Sequence, residues 1–192
     1  IDCISGEVVE ERNGKFELKA VIPESGLHAN EIEMDSILKV KPNDKASMQL
    51  FRVYKITKPI NGKFEVYAEH ISYQLRYIPV NPFEVAASPT ACSISLSMLK
   101  SQSMQTNDFS FWTDVQTVAN FGFKTPISVR NALGGVEGSI LDRFGGEYEW
   151  DNFDVKLHRA RGSIFPVMSL RYGKNIIDLK QETAGLLDFD IE

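Results

Sequence analysis

Six carboxylates crowd residues 137 to 154 of this chain: Glu137, Asp142, Glu147, Glu149, Asp151 and Asp154. Two carboxylates flanking a glycosidic bond can cut it, one protonating the leaving oxygen while the other acts as base or nucleophile. Glu147, Glu149 and Asp151, however, alternate with Tyr148 and Trp150. Such alternation marks the polar face of a strand, and a solvated face accounts for these acids without catalysis. The three histidines, His28, His70 and His158, show neither H-E-x-x-H nor H-x-H spacing, so a zinc peptidase lacks its ligand set. A cysteine peptidase would pair Cys3 or Cys92 with one of them, but no local signature surrounds either thiol. Tyr172-Gly173-Lys174-Asn175 carries the Gly-Lys of a phosphate loop with one glycine and no helix pattern after it, which reads as a hairpin turn. Trp112, Trp150 and the tyrosines could stack on sugars; packing is the commoner use of such rings. The expectation is a chain with no catalytic residue, no cofactor-binding residue, no cofactor and no metal ligand.

The elements that hold these residues can be read from periodicity. Val136, Ile140, Leu141 and Phe144 share one helical face, which predicts a helix from Val136 to Phe144, with Glu137 and Arg143 placed as the helix dipole prefers and Gly145 as the C′ residue. An aromatic hairpin follows. Tyr148 and Trp150 are apolar in its first strand, Phe153, Val155 and Leu157 in its second, and Asp151-Asn152 is the connector.

The first eighty residues read as β. Val8 to Arg12 and Phe16 to Ile22 flank Asn13-Gly14, a hairpin signal. Ile37 to Val40 is a short strand, and Ser47 to Thr57 a longer one. The longer strand is apolar on both faces, Met48, Leu50, Tyr54 and Ile56 on one and Phe51 and Val53 on the other, which predicts cover on both, by a helix of the same chain or by a neighbouring subunit. Asn61-Gly62 turns it into Phe64, Val66 and Ala68, and His70 to Arg76 reads as a short helix. These elements predict a closed or nearly closed antiparallel sheet. Pro79, Pro82 and Pro89 place a domain boundary after residue 78. Beyond it Ser88-Pro89-Thr90 starts a helix with Ala91, Ile94, Met98 and Leu99 inward. Phe109, Phe111 and Val115 suggest a strand, and Ser128 caps a short helix with Val129, Ala132 and Leu133 inward. Val167 to Arg171 and Ile176 to Lys180 predict a last hairpin. The fold class is mixed β and α+β: a barrel-like domain at 1–78 and an α+β domain at 79–192, expected to continue past Glu192.

The composition is that of a globular protein, with 192 residues, 43% apolar and 24% charged. A net charge of −5 without a Lys/Arg cluster argues against a nucleic-acid-binding module; pairs such as Lys39/Lys41 and Arg159/Arg161 read as solvated. Two distant cysteines suggest neither a disulfide framework nor a zinc site, and Cys92 reads as a buried small hydrophobe in a chain made in a reducing cytoplasm. No apolar run approaches the roughly 18 residues of a membrane helix, and no signal peptide is visible. A start at Ile1 suggests a piece of a longer protein.

Three motifs resemble one family. They are S-M-Q-L-F-R-V-Y-K-I-T-K with F-E-V-Y-A-E-H-I-S-Y-Q-L (47–58 and 64–75), G-G-V-E-G-S-I-L-D-R-F-G-G-E-Y-E-W-D-N-F-D-V (134–155) and L-R-Y-G-K-N-I-I-D-L (170–179). In order and spacing they are similar to the siphophage and prophage tail proteins called Tal, the prophage endopeptidase tail family. The resemblance implies a structural component of a phage tail tip, a baseplate hub at the end of the virion tail, made in the host cytoplasm. It implies a homotrimer ringing the tail channel, docked on the distal tail protein and other tail proteins. Phage DNA would pass through without specific binding, and the host cell wall is a further contact. In such a family peptidoglycan-degrading activity belongs to C-terminal extensions, so no enzyme is expected here. The ring contacts are expected at the edges of the first sheet and at the two-sided strand, with Phe51→Asp costing solubility or assembly. Two other readings stay open: part of a tail-associated cell-wall hydrolase whose catalytic domain lies outside this chain, and a host-glycan-binding module.

Overall fold

The computed structural model describes residues 2–83 and 88–162, and those up to Arg161 belong to one compact unit. The hairpin and Tyr-Gly-Lys-Asn turn expected at 167–180 lie outside the described residues. Five antiparallel strands come first: β1 (Ser5–Glu10), β2 (Phe16–Pro23), β3 (Ile37–Val40), β4 (Gln49–Ile56) and β5 (Lys63–His70). They pair in the order β1-β2-β5-β4-β3. The sheet is curled into a half-barrel rather than closed, and β1 and β3 are its unpaired edges.

Alternation decides which face is buried. Phe16, Leu18, Ala20 and Ile22 of β2 lie beside Phe64, Val66 and Ala68 of β5, and all are buried. Phe51 and Val53 of β4 join them at zero exposure. A bulge between Val53 and Lys55 then shifts the register, so that Ile56 meets Val66 from the inner side. The outer face is polar: Lys19 pairs with Glu65 at 2.8 Å, and Lys19 and Lys55 lie over the Tyr67 ring. No helix of the described residues covers the second face of β4, which leaves a neighbouring subunit as the expected cover. Within this chain Met48 is 47% and Tyr54 43% exposed, while Phe51 is core and no part of a docking surface.

A 3-10 turn at Ile71–Tyr77 leads into smaller elements: β6 (Pro79–Val80), β7 (Thr90–Ala91), α1 (Cys92–Ser101), β8 (Ser110–Thr113), β9 (Val118–Ala119), β10 (Ile127–Ser128), α2 (Val129–Leu133), α3 (Ile140–Phe144), β11 (Glu147–Asp151) and β12 (Asp154–His158). The five-stranded sheet thus lies wholly before residue 79 and the mixed elements after it, with one hydrophobic core continuous across the junction. β11 and β12 form the expected hairpin, and β8 adds to β12 in parallel.

Three local expectations are corrected. α1 buries Cys92, Ser95, Leu96 and Leu99, while Ile94 is exposed. Ser95 can turn inward because its hydroxyl donates to the Ala91 carbonyl at 3.3 Å and meets Thr90 Oγ1, so its burial leaves no polar group unpaired. α3 begins at Ile140 rather than Val136, because Gly138 takes φ +78° and Ser139 caps the helix, its Oγ accepting from Asp142 N. The β11–β12 connector is Asn152-Phe153, since Asp151 still pairs with Asp154.

Candidate functional site

The first two sequence motifs meet. Gln49 opens β4, His70 closes β5, and both point at the tip of the β11–β12 hairpin. Ser72 N donates to His70 Nδ1 at 3.3 Å, which leaves Nε2 as the protonated nitrogen, donating to Gln49 Oε1 at 3.1 Å. The same oxygen accepts from Asn152 N at 2.9 Å. Gln49 Nε2 donates to Asp151 Oδ1 (3.0 Å) and to Ser47 Oγ (2.9 Å), and the Ser47 hydroxyl donates to Asp151 Oδ1 at 3.0 Å. His70 is fully buried and stacks on Phe16 at 4.4 Å. Burial, and then the Arg130 charge, push its pKa down to about 3, so it is a neutral hydrogen-bonding residue.

Two asparagines pin the hairpin at its ends. Asn152 Oδ1 accepts from Leu50 N (2.8 Å) and Nδ2 donates to Met48 O (3.0 Å). Asn13, in the β1–β2 turn, accepts from Tyr148 N (2.8 Å) and donates to Gly146 O (3.0 Å). Each side chain imitates a strand's backbone pair, and both residues sit at positive φ, 53° and 56°, which asparagine tolerates. Gly146 is required beside Asn13: at φ +103° an added Cβ would lie 2.7 Å from His158 O.

Of the six acids at 137–154, five are committed to structure and Glu137 is exposed. Glu147 pairs with Arg12 at 2.8 Å, Asp142 accepts from Gly138 N, and Asp154 accepts from the Ser110 hydroxyl. Partial burial pushes Glu149 upward, but Lys156 and His158 outweigh it and hold its carboxyl below the usual range. A hydrogen bond from Gln49, with Lys156 and Ser47, does the same for Asp151 against burial. Held as carboxylates, neither is tuned as a proton donor. Cys92 is buried with its thiol pushed up to about 11 by burial, and Cys3 is exposed with its sulfur against the Ser5 and Val21 carbonyls; neither is bonded to a histidine. No group of three or more potential metal ligands is present among the described residues. Tyr148 and Trp150 are buried and stacked at 4.9 Å, whereas Trp112 is half exposed over His158.

The open features of the described surface include a groove and a cavity near these residues. A groove of about 560 Å³ runs between β4, the 3-10 turn and the 105–109 loop, with Tyr54, Tyr77, Gln74, Gln105 and Asp108 along it. Lys100 fixes that loop, its ammonium donating to Asn107 O, Asn107 Oδ1 and Phe109 O at 2.6–2.7 Å. A smaller cavity of about 320 Å³ lies beside Arg130 of α2, against Tyr148 and Trp150. Sequence reasoning missed Gln49, Asn13 and Arg130. The Asn-Gly turn signal at 13–14 and the motif at 47–58, which contains Gln49, pointed near two of them.

No family model and no curated protein matches the chain. Among solved structures it is similar to the crystal structure of prophage tail protein gp18 from Listeria monocytogenes EGD-e. The two share 12% sequence identity and a TM-score of 0.53, over 80% of this chain and 42% of that one. The chain therefore spans under half the length of that protein. At this identity the likeness is one of fold: a mixed β and α+β architecture that this chain shares with that protein.

Proposed function

We propose that this chain is a structural component of a phage or prophage tail, acting at the tail tip as part of a baseplate hub. The observation that carries the reading is the fold held in common with a prophage tail protein. The sheet supplies a physical route to assembly. Its two edges are different strands, β1 and β3, and five of the six β1 residues are exposed. An edge presents unpaired backbone donors and acceptors, and a β1-to-β3 contact between copies would be heterologous, the kind that closes into rings. In this reading residues 1–78 form the ring, as a homotrimer docked on the distal tail protein, and 79–192 form an α+β domain. DNA passes the channel without specific binding, and the chain itself has no catalytic role.

Molar mass by light scattering across a wide concentration range tests the assembly. A trimer is expected, and co-elution with the distal tail protein of the same phage should follow; a monomer at every concentration, alone and with that protein, would count against it. The groove along Tyr54 and Tyr77 favours a second reading, a host-glycan-binding module, because exposed rings beside amide and carboxylate groups suit sugar faces and hydroxyls. Saturable binding of cell-wall glycan, lost in Tyr77→Ala, would support it. Release of murein fragments by this chain would favour the hydrolase reading.

A further inference from the structure

We propose that the cavity beside Arg130 binds a carboxylate. The guanidinium carbon lies 4.4 Å from the Trp150 ring centre and 5.2 Å from that of Tyr73. These rings attract the cation through their quadrupoles but accept no hydrogen bond in the guanidinium plane. Nη1 is buried and has no hydrogen-bond partner among the described residues. Arg76, over the same Tyr73 ring at 4.7 Å, makes the contrast: it has Glu69 at 2.8 Å. Arg130 makes no ion pair of its own among the described residues, Glu69 being committed to Arg76, and a partly buried cation without a direct partner is costly to keep. The 320 Å³ cavity that Arg130 lines is where a counter-charge can enter. Its other walls include Tyr148, Trp150, Leu141, the Gly134-Gly135 backbone and the Asn13 turn, with Asn131 at the exposed rim. One planar fork and the Asn131 amide, the Asn13 amide being taken up by Tyr148 N and Gly146 O, match a flat two-oxygen anion on a short aliphatic stem; a phosphate dianion calls for more cations than this. The stem is either a free aliphatic acid or an Asp or Glu side chain of a second copy of this chain.

Trp150 reports occupancy. In the full chain carrying Trp112→Phe, acetate is titrated against chloride at constant ionic strength and emission is followed. Acetate should give a saturating change with half-saturation below about 10 mM, in the range one bidentate ion pair supports. Arg130→Met should abolish it. Arg130→Lys, which keeps the charge without the fork, should weaken it about tenfold or more. Asn131→Phe, which fills the rim and leaves Arg130 in place, should block it and carries the test if the arginine variants fail to fold. Emission that shifts with protein concentration alone, and is reversed by acetate, identifies the second copy as the source. Saturation by acetate with no concentration dependence identifies a free acid. Identical acetate and chloride titrations, or unchanged half-saturation in both Arg130→Lys and Asn131→Phe, would overturn the proposal.

Discussion

Replacing Asn152 tests whether the hairpin is pinned by side chains that imitate backbone. Its amide makes two hydrogen bonds, from Leu50 N at 2.8 Å and to Met48 O at 3.0 Å, and its backbone stands at φ 56°. Each bond contributes about 1 kcal/mol net, with an added cost if Leu50 N finds no water. Asn152→Gly should therefore lose about 2–3 kcal/mol. Asn152→Ala loses the same bonds and also places a Cβ in the left-handed region, at about 1–2 kcal/mol. The greater unfolded freedom of glycine offsets about 0.5–1 kcal/mol of that difference. Alanine should thus be the worse of the two by about 0.5–1 kcal/mol, the reverse of their order in an ordinary strand. Urea unfolding followed through Trp150, in a Trp112→Phe background, measures both. Two variants within about 0.5 kcal/mol of the parent, or glycine less stable than alanine, would refute the reasoning.

Phe51→Ala should cost about 3–5 kcal/mol, since Phe51 is wholly buried, while Tyr54→Asp on the open face should leave the urea midpoint nearly unchanged. His70 gives a pH signature. Its folded pKa lies near 3 against an ordinary 6.5, so the unfolded chain takes up the proton first, and stability present above pH 6.5 is lost as pH falls toward 3. Between pH 7 and pH 5 that loss integrates to about 2 kcal/mol, and His70→Gln should flatten the urea midpoints over the same window. Gly146→Ala should destabilise by about 2 kcal/mol or more in thermal unfolding, because φ +103° and the His158 carbonyl both exclude a Cβ.

Much of the architecture was legible wherever one period governed a segment. β2, β5, β11 and β12 alternate cleanly, and the predicted inward residues are the buried ones except Phe153, which falls in the connector and is partly buried. Ser128 was readable as a cap because its oxygen serves a donor only three residues away, Asn131 N at 3.2 Å. Reading failed where the deciding partner is distant in sequence. Met48, Leu50 and Tyr54 look as apolar as Phe51 and Val53, and only the curl of the sheet and the bulge after Val53 decide that one set is core and the other open. On α1 hydrophobicity selected Ile94, whereas local hydrogen bonding let Ser95 take the inward position.

The sequence by itself determined the longer strands, the Ser128 cap and the absence of metal- and thiol-type catalytic spacing, because each depends on neighbours within a few residues. It also carried the motifs that resemble a tail-protein family, though not the reason for their composition. The tertiary structure decided that reason. Gln49, His70, Asp151 and Asn152 are polar because they close one network between a sheet and a hairpin about a hundred residues apart. It likewise decided that Arg130 is enclosed by rings and left without an ion pair of its own among the described residues. Burial and hydrogen-bond satisfaction belong to contacts made across the chain, and no local period encodes them.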